Sequence, residues 1–163
     1  MYEVLIDQLQ TAGYEHYEIS NFARTGYRSR HNSSYWTGIP YIGIGAAAHS
    51  YDLKSRSWNV ADIHQYIEGM ERGERIYEEE VLNDDTRYND TIPVALRTKE
   101  GIDLSLLTKK YHDYLIKNAR RYIDDGLLEL KDVGDSSSQT PHLRLTRRGL
   151  FVSDMVMSDL MMV

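Results

Sequence analysis

Between Tyr14 and Tyr51 the chain gathers the residue types best suited to holding a flat, metal-bearing ligand. That stretch contains His16, His31 and His49, six tyrosines, Phe22 and Trp36. Aromatic rings with polar tips suit a wall that is partly buried and partly turned to a ligand. His31 is followed by Asn32, then by Tyr35 and Trp36. An imidazole ligates haem iron well, and adjacent rings can cover a porphyrin face. The competing reading is a histidine hydrogen-bonded within a structured loop. A ligating histidine needs a partner on its second ring nitrogen, and the sequence names none. His49 follows Gly43-Ile44-Gly45 at the end of an apolar run, Tyr41 to His49, which reads as a short buried strand opening into small residues. Glycines there let the backbone approach something closely, and ligands collect at the carboxyl ends of parallel strands. The run lacks the third glycine of a dinucleotide fingerprint.

Other groups carry less. Glu15 and Glu18 stand three apart on an expected strand, so they face opposite sides and share no proton chemistry. No catalytic residue is assigned. His16, His64, His112 and His142 read as surface or boundary residues. Arg24, Arg28 and Arg30 can grip a propionate or phosphate, but a solvated loop accounts for them as well.

The elements that position these residues follow from spacing. Residues 2–12 present Val4, Leu5, Gln8, Leu9 and Ala12 on one helical face, stopped by Gly13. Residues 14–22 read as an aromatic strand. A helix followed so soon by a strand is the rhythm of parallel α/β structure. From Ala23 to Pro40, Gly26, Gly38 and a polar run mark a long loop. Residues 61–72 form a helix with Ile63, Tyr66, Ile67 and Met70 aligned. Asn83 can cap the next helix, in which Pro93 should set a kink or the true start. Leu107, Tyr111, Leu115, Ala119 and Ile123 recur every four residues, an amphipathic helix that Asp125-Gly126 stops. Two alternating runs around Leu128–Leu130 and Leu143–Leu145, joined by a polar loop from Asp132 to Thr140, read as a hairpin. Thr146 can cap a last helix holding Leu150, Phe151, Met155 and Met162. Helix, helix, hairpin, helix is the order of a winged unit.

Composition bounds the function. The 163 residues are 41% hydrophobic and 27% charged, which supports a packed core. There is no cysteine, so disulfides, thiolate metal sites and cysteine-held clusters cannot be built from this chain. No run approaches the ~18 apolar residues of a membrane span. No signal peptide is recognisable, and a cytoplasmic location is expected. The net charge is −6. Residues 61–93 hold ten acids and three bases and read as a solvated joint. Residues 94–163 hold ten acids and eleven bases. That near balance gives no dedicated basic face, so no specific nucleic-acid binding is expected.

Several strings carry a family resemblance. Gly13-Tyr14-Glu15-His16-Tyr17-Glu18-Ile19-Ser20-Asn21-Phe22-Ala23-Arg24, His31-Asn32-Ser33-Ser34-Tyr35-Trp36 and Tyr41-Ile42-Gly43-Ile44-Gly45-Ala46-Ala47-Ala48-His49-Ser50 resemble segments of the HemN/HemW family. So do Leu96–Ile102, Asp125–Leu128 and Leu143–Gly149, in the same order. The chain departs at Ala47, where glycine is common, at Thr25, where proline is common, and at Pro93. The resemblance implies the carboxyl-terminal part of a radical S-adenosylmethionine protein. The fold would be α+β: residues 1–60 as the last helix and strands of a partial (β/α) barrel, 61–93 as a helical joint, and 94–163 as a mostly helical, winged-helix-like domain. It implies coproporphyrinogen III oxidation or haem delivery, with the H-N-x-x-Y-W motif favouring delivery. It implies haem or porphyrinogen as ligand, a haem-receiving protein as partner, and S-adenosylmethionine with a [4Fe–4S] cluster in an amino-terminal radical region. Alone, this chain would be inert. The resemblance selects His31 as the metal ligand, with Asn32, Tyr35, Trp36, Gly43, Gly45 and His49 as cofactor contacts. The rival reading is a self-contained winged-helix module that binds nucleic acid or protein.

Overall fold

A computed structural model describes residues 1–134 and 139–162. It divides into two compact units, one formed by residues 1–36 with 88–163, the other by residues 37–87.

The first unit opens with helix α1 (Tyr2–Thr11), which buries Ile6. The expected single strand over 14–22 is instead two short strands, β1 (Glu15–Glu18) and β2 (Asn21–Ala23), paired antiparallel. Ser20 and Asn21 supply turn chemistry that the aromatic pattern masks. The parallel rhythm is therefore not what β1 and β2 adopt. The other edge of β1 meets residues 97–99: Ile19 N donates to Arg97 O at 3.0 Å and Lys99 N to Tyr17 O at 3.0 Å. The expected loop of 23–40 contains helix α2 (Arg30–Trp36). Ser29 starts it, its hydroxyl accepting from Asn32 N at 3.3 Å and its carbonyl from Ser33 N at 3.0 Å.

The second unit holds an antiparallel sheet of β3 (His49–Tyr51), β4 (Ser55–Asn59) and β5 (Tyr77–Val81), in that order, with helix α3 (Ile63–Glu71) between β4 and β5 in the chain. Asp62 caps α3, accepting from His64 N and Gln65 N at 2.9 Å each. Its aligned Ile63, Ile67 and Met70 stay exposed. The acidic run Glu78-Glu79-Glu80 lies within β5, paired with β4. The expected buried strand of 41–49 is overturned: before His49, which opens β3, only Tyr41 makes a bridge, and Ile42 and Ile44 are 85% and 88% exposed. Ala47 lies at φ 57, a left-handed conformation that alanine adopts only with strain.

Helix α4 (Asp84–Leu96) follows, and Asn83 Oδ1 accepts from Thr86 N at 2.8 Å to cap it. The helix continues through Pro93 rather than starting there. Back in the first unit, β6 (Ile102–Asp103), helix α5 (Lys109–Asp124), β7 (Leu128–Val133), β8 (Thr140–Leu145) and helix α6 (Ser153–Leu160) complete the chain. The strand order is β6-β8-β7, all antiparallel. Residues 135–138 of the expected polar loop lie outside the described residues. On α5 the buried stripe is Tyr111, Leu115, Ala119 and Tyr122. A strict four-residue step overshoots the 3.6-residue turn by about 40°, so the stripe ends on Tyr122 rather than Ile123. The core joins this stripe to Ile92 and Leu96 of α4, Leu128 and Leu143 of the sheet, and Val156 and Leu160 of α6. Helices on a three-stranded antiparallel wing make the α+β, winged-helix-like arrangement.

Candidate functional site

Four of the candidate contacts, His31, Asn32, Tyr35 and Trp36, fall on α2. His31 and Tyr35 stand one turn apart, with ring centroids 5.2 Å apart and edge to face at 84°. Both are exposed, Tyr35 at 44%. Neither ring nitrogen of His31 is held by a hydrogen bond among the described residues. Trp36 meets Tyr17 of β1 at 5.9 Å, and Tyr17 also accepts Ser29 N at 3.3 Å. Tyr17 is buried, at 3% exposure. The helix is thus tied down through Trp36 and Ser29 while His31 stays open to an incoming ligand.

The other three, Gly43, Gly45 and His49, belong to the second unit. A Cβ on Gly43 would lie 2.2 Å from His49 O, so only glycine allows this close approach of two backbones. Gly43 N donates to Ser50 Oγ at 3.0 Å, Gly45 N to Tyr66 Oη at 3.1 Å, and Asn59 Nδ2 to Gly45 O at 2.8 Å. Gly43 thus serves close packing of the loop on its own sheet, while Gly45 supplies a φ of 114 with no close neighbour. His49 is exposed beside Trp58, ring centroids 5.9 Å apart. Among the described residues no three histidine, aspartate or glutamate side chains gather as a metal site.

Sequence reasoning missed a network around Glu15 and Glu18. Glu18 is only 2% exposed. Its Oε2 accepts from Ser20 N at 3.0 Å, Ser20 Oγ at 2.9 Å and Asn21 Nδ2. Its Oε1 accepts Arg97 Nε and Nη2 at 2.8 Å each. Burial pushes this carboxyl up, but the bonds from Asn21, Ser20 and Arg97 outweigh burial and hold it below its usual range. Glu15 takes Arg28 at 2.8 Å and Lys99 at 2.6 Å, and these two hold its carboxyl down to about 2. Arg28 also reaches Glu100 at 2.9 Å and lies over the Tyr17 ring at 5.2 Å, so it is not a solvated loop residue. His142 is likewise buried, held by Glu100 O at 3.1 Å and by Thr140 Oγ1 at 3.0 Å. The acids at 15 and 18 and the bases at 97 and 99 lie about eighty residues apart, so no local pattern signals their pairing.

Both depressed carboxyls give stability that is fully present above their ordinary value near 4.5 and is lost as the pH falls below it, for Glu15 toward about 2. Urea midpoints are expected to hold steady above that value and to drop through this window. Replacing Glu15 by glutamine should flatten the drop, and an unchanged drop would refute the assignment.

In the winged region, Lys109–Asp113, Arg120–Asp124 and Arg121–Asp159 are ion pairs on or from α5. Three α5 cations thus face their own acids, which does not favour the nucleic-acid reading. No helix among the described residues is long and apolar enough to cross a membrane.

No protein-family profile matches the chain. It is similar to the "Heme chaperone HemW" of Lactococcus lactis, 37% identical over 111 residues, covering 68% of the chain and 29% of that protein. It is similar to the "Heme chaperone HemW" of Mycobacterium tuberculosis, 31% identical over 161 residues, covering 98% of the chain and 38% of that protein. The fold matches that of Escherichia coli coproporphyrinogen III oxidase (HemN), a radical SAM enzyme, with a TM-score of 0.66 over 98% of this chain and 39% of that one, at 18% identity. The chain therefore spans well under half the length of these relatives.

Proposed function

This chain belongs to the HemN/HemW family, as a carboxyl-terminal part of it, and from that premise we propose that it serves haem handling, with His31 as the iron ligand. The observation that carries the proposal is the open imidazole of His31 on a tethered helix, beside Tyr35 and Trp36. Haem, when bound, supplies an iron atom that accepts an imidazole lone pair. His31 offers that lone pair. Tyr35 and Trp36 offer ring surface to the macrocycle, and Asn32 a polar edge. The H-N-x-x-Y-W spacing of residues 31–36 supports delivery to a receiving protein over porphyrinogen oxidation. With no cysteine, the chain has no thiolate for a cluster. Radical chemistry with S-adenosylmethionine is therefore assigned to the rest of the longer family protein, and this part is inert in that reaction. In that protein, residues 1–60 would extend the barrel, 61–93 join and 94–163 form the winged domain, in the cytoplasm.

Haem titration followed at the Soret band tests the ligand. His31→Ala is expected to weaken binding by about tenfold to a hundredfold, and His49→Ala to leave it unchanged. Unchanged binding by His31→Ala would refute the assignment.

A further inference from the structure

The first unit contains a cleft of about 380 Å³ that no residue of α2 touches. It opens between α1, β1, residues 96–99 and the end of the wing. Its floor is aliphatic: Ile6, Leu96, Leu145 and Leu150. Four cations line it, Arg97, Lys99, Arg144 and Arg147, against two carboxylates, Glu18 and Glu129. The lining therefore carries a formal charge of +4 − 2 = +2. The carboxylates that pair with Lys99 and Arg147, Glu15 and Asp7, are not part of the lining. Arg97 meets Glu18 through Nε and Nη2, and Arg144 meets Glu129 through the same two atoms, at 2.6–2.8 Å. In each guanidinium the remaining Nη1 is not spent on that pair. Guanidinium groups fixed by one carboxylate are held ready to receive another.

We propose that this cleft binds a small organic dianion, two carboxylates on a short saturated body. The volume lies near the lower end of the range for small-molecule sites. The Nη1 groups of Arg97 and Arg144, left over from their pairs with Glu18 and Glu129, match two carboxylates. The floor offers aliphatic side chains and only one ring, His16, already stacked on Phe22 at 4.3 Å. A saturated body fits that floor, and a large flat aromatic does not. The proposal does not rest on the haem reading, since it shares no residue with it.

Succinate, inorganic phosphate and a Glu-rich peptide, each titrated calorimetrically into the whole chain, test the site. Two variants decide it. Arg144→Gln removes a cation whose partner Glu129 is 43% exposed, so the carboxylate left behind stays hydrated. Gln10→Trp adds bulk to the cleft from an exposed position of α1 and changes no charge. Succinate is expected to bind, and each variant to weaken it by about tenfold. Phosphate, which has no aliphatic body, is expected to bind at least about tenfold more weakly. Should Arg144→Gln fail to fold, Gln10→Trp carries the decision. No heat from succinate up to about 10 mM, equal binding of phosphate, indifference to the folded variants, or tighter binding of the peptide would each overturn the proposal.

Discussion

Replacing Glu18 by alanine is expected to lower the unfolding free energy by about 2–3 kcal/mol. The side chain is 2% exposed and accepts from three residues, Ser20, Asn21 and Arg97. Its removal leaves a buried hole and takes the acceptor from the tight turn after β1, while Arg97, 40% exposed, keeps water. The turn and the β1 edge that pairs with residues 97–99 share this one carboxylate, so both loosen together. Glu18→Gln keeps the shape and one acceptor but loses the charge, and should cost less than half as much. Urea unfolding at neutral pH measures both. A loss below about 1 kcal/mol for Glu18→Ala would mean that the pair is worth no more than an exposed salt bridge.

What could be read from the sequence depended on what each pattern encodes. α5 and the β7–β8 hairpin showed themselves because their apolar spacing reports a buried face, whereas α1 and α3 formed although the aligned Val4 and Leu5, and Ile63, Ile67 and Met70, stay exposed. The hairpin over 15–23 did not, because Tyr17 and Glu18 are both buried and the turn is held by a side chain from β1 itself. α2 was hidden for another reason. Its seven residues bury none of their number completely, so no periodicity marks it. The run 41–49 misled because its isoleucines point outward, which an apolar string cannot reveal. The candidate residues themselves came from the resemblance. Bottom-up reading favoured a hydrogen-bonded loop histidine at position 31, and the resemblance brought the ligand reading level with it. The network of Glu15, Glu18, Arg28, Arg97 and Lys99 joins positions about eighty apart. No local pattern encodes such a pairing.

The matched string around Gly101 has a structural reason, and its test is the second large effect. Gly101 lies at φ 76, in the left-handed region, directly against β8. A Cβ there would sit 2.3 Å from Leu143 O and 2.6 Å from Arg144 Cβ. Strain alone costs about 1–2 kcal/mol. The clash adds about 1–3 kcal/mol, because a strand carbonyl cannot swing away as a side-chain tip can. Gly101→Ala is therefore expected to lose about 3 kcal/mol in total. The consequence reaches further than the residue. Ile102 next to it pairs with Leu143, and both are buried at 1% or less. Moving β8 to admit a methyl group breaks the β6–β8 pairing and shifts Arg144 on the same strand. Amide hydrogen exchange should then show lost protection at Ile102 and Leu143 before the α5–α6 core is affected. Retention of that protection, with an unfolding free energy within about 0.5 kcal/mol of the parent, would show that the backbone accommodates the methyl group and that Gly101 is not fixed by this contact.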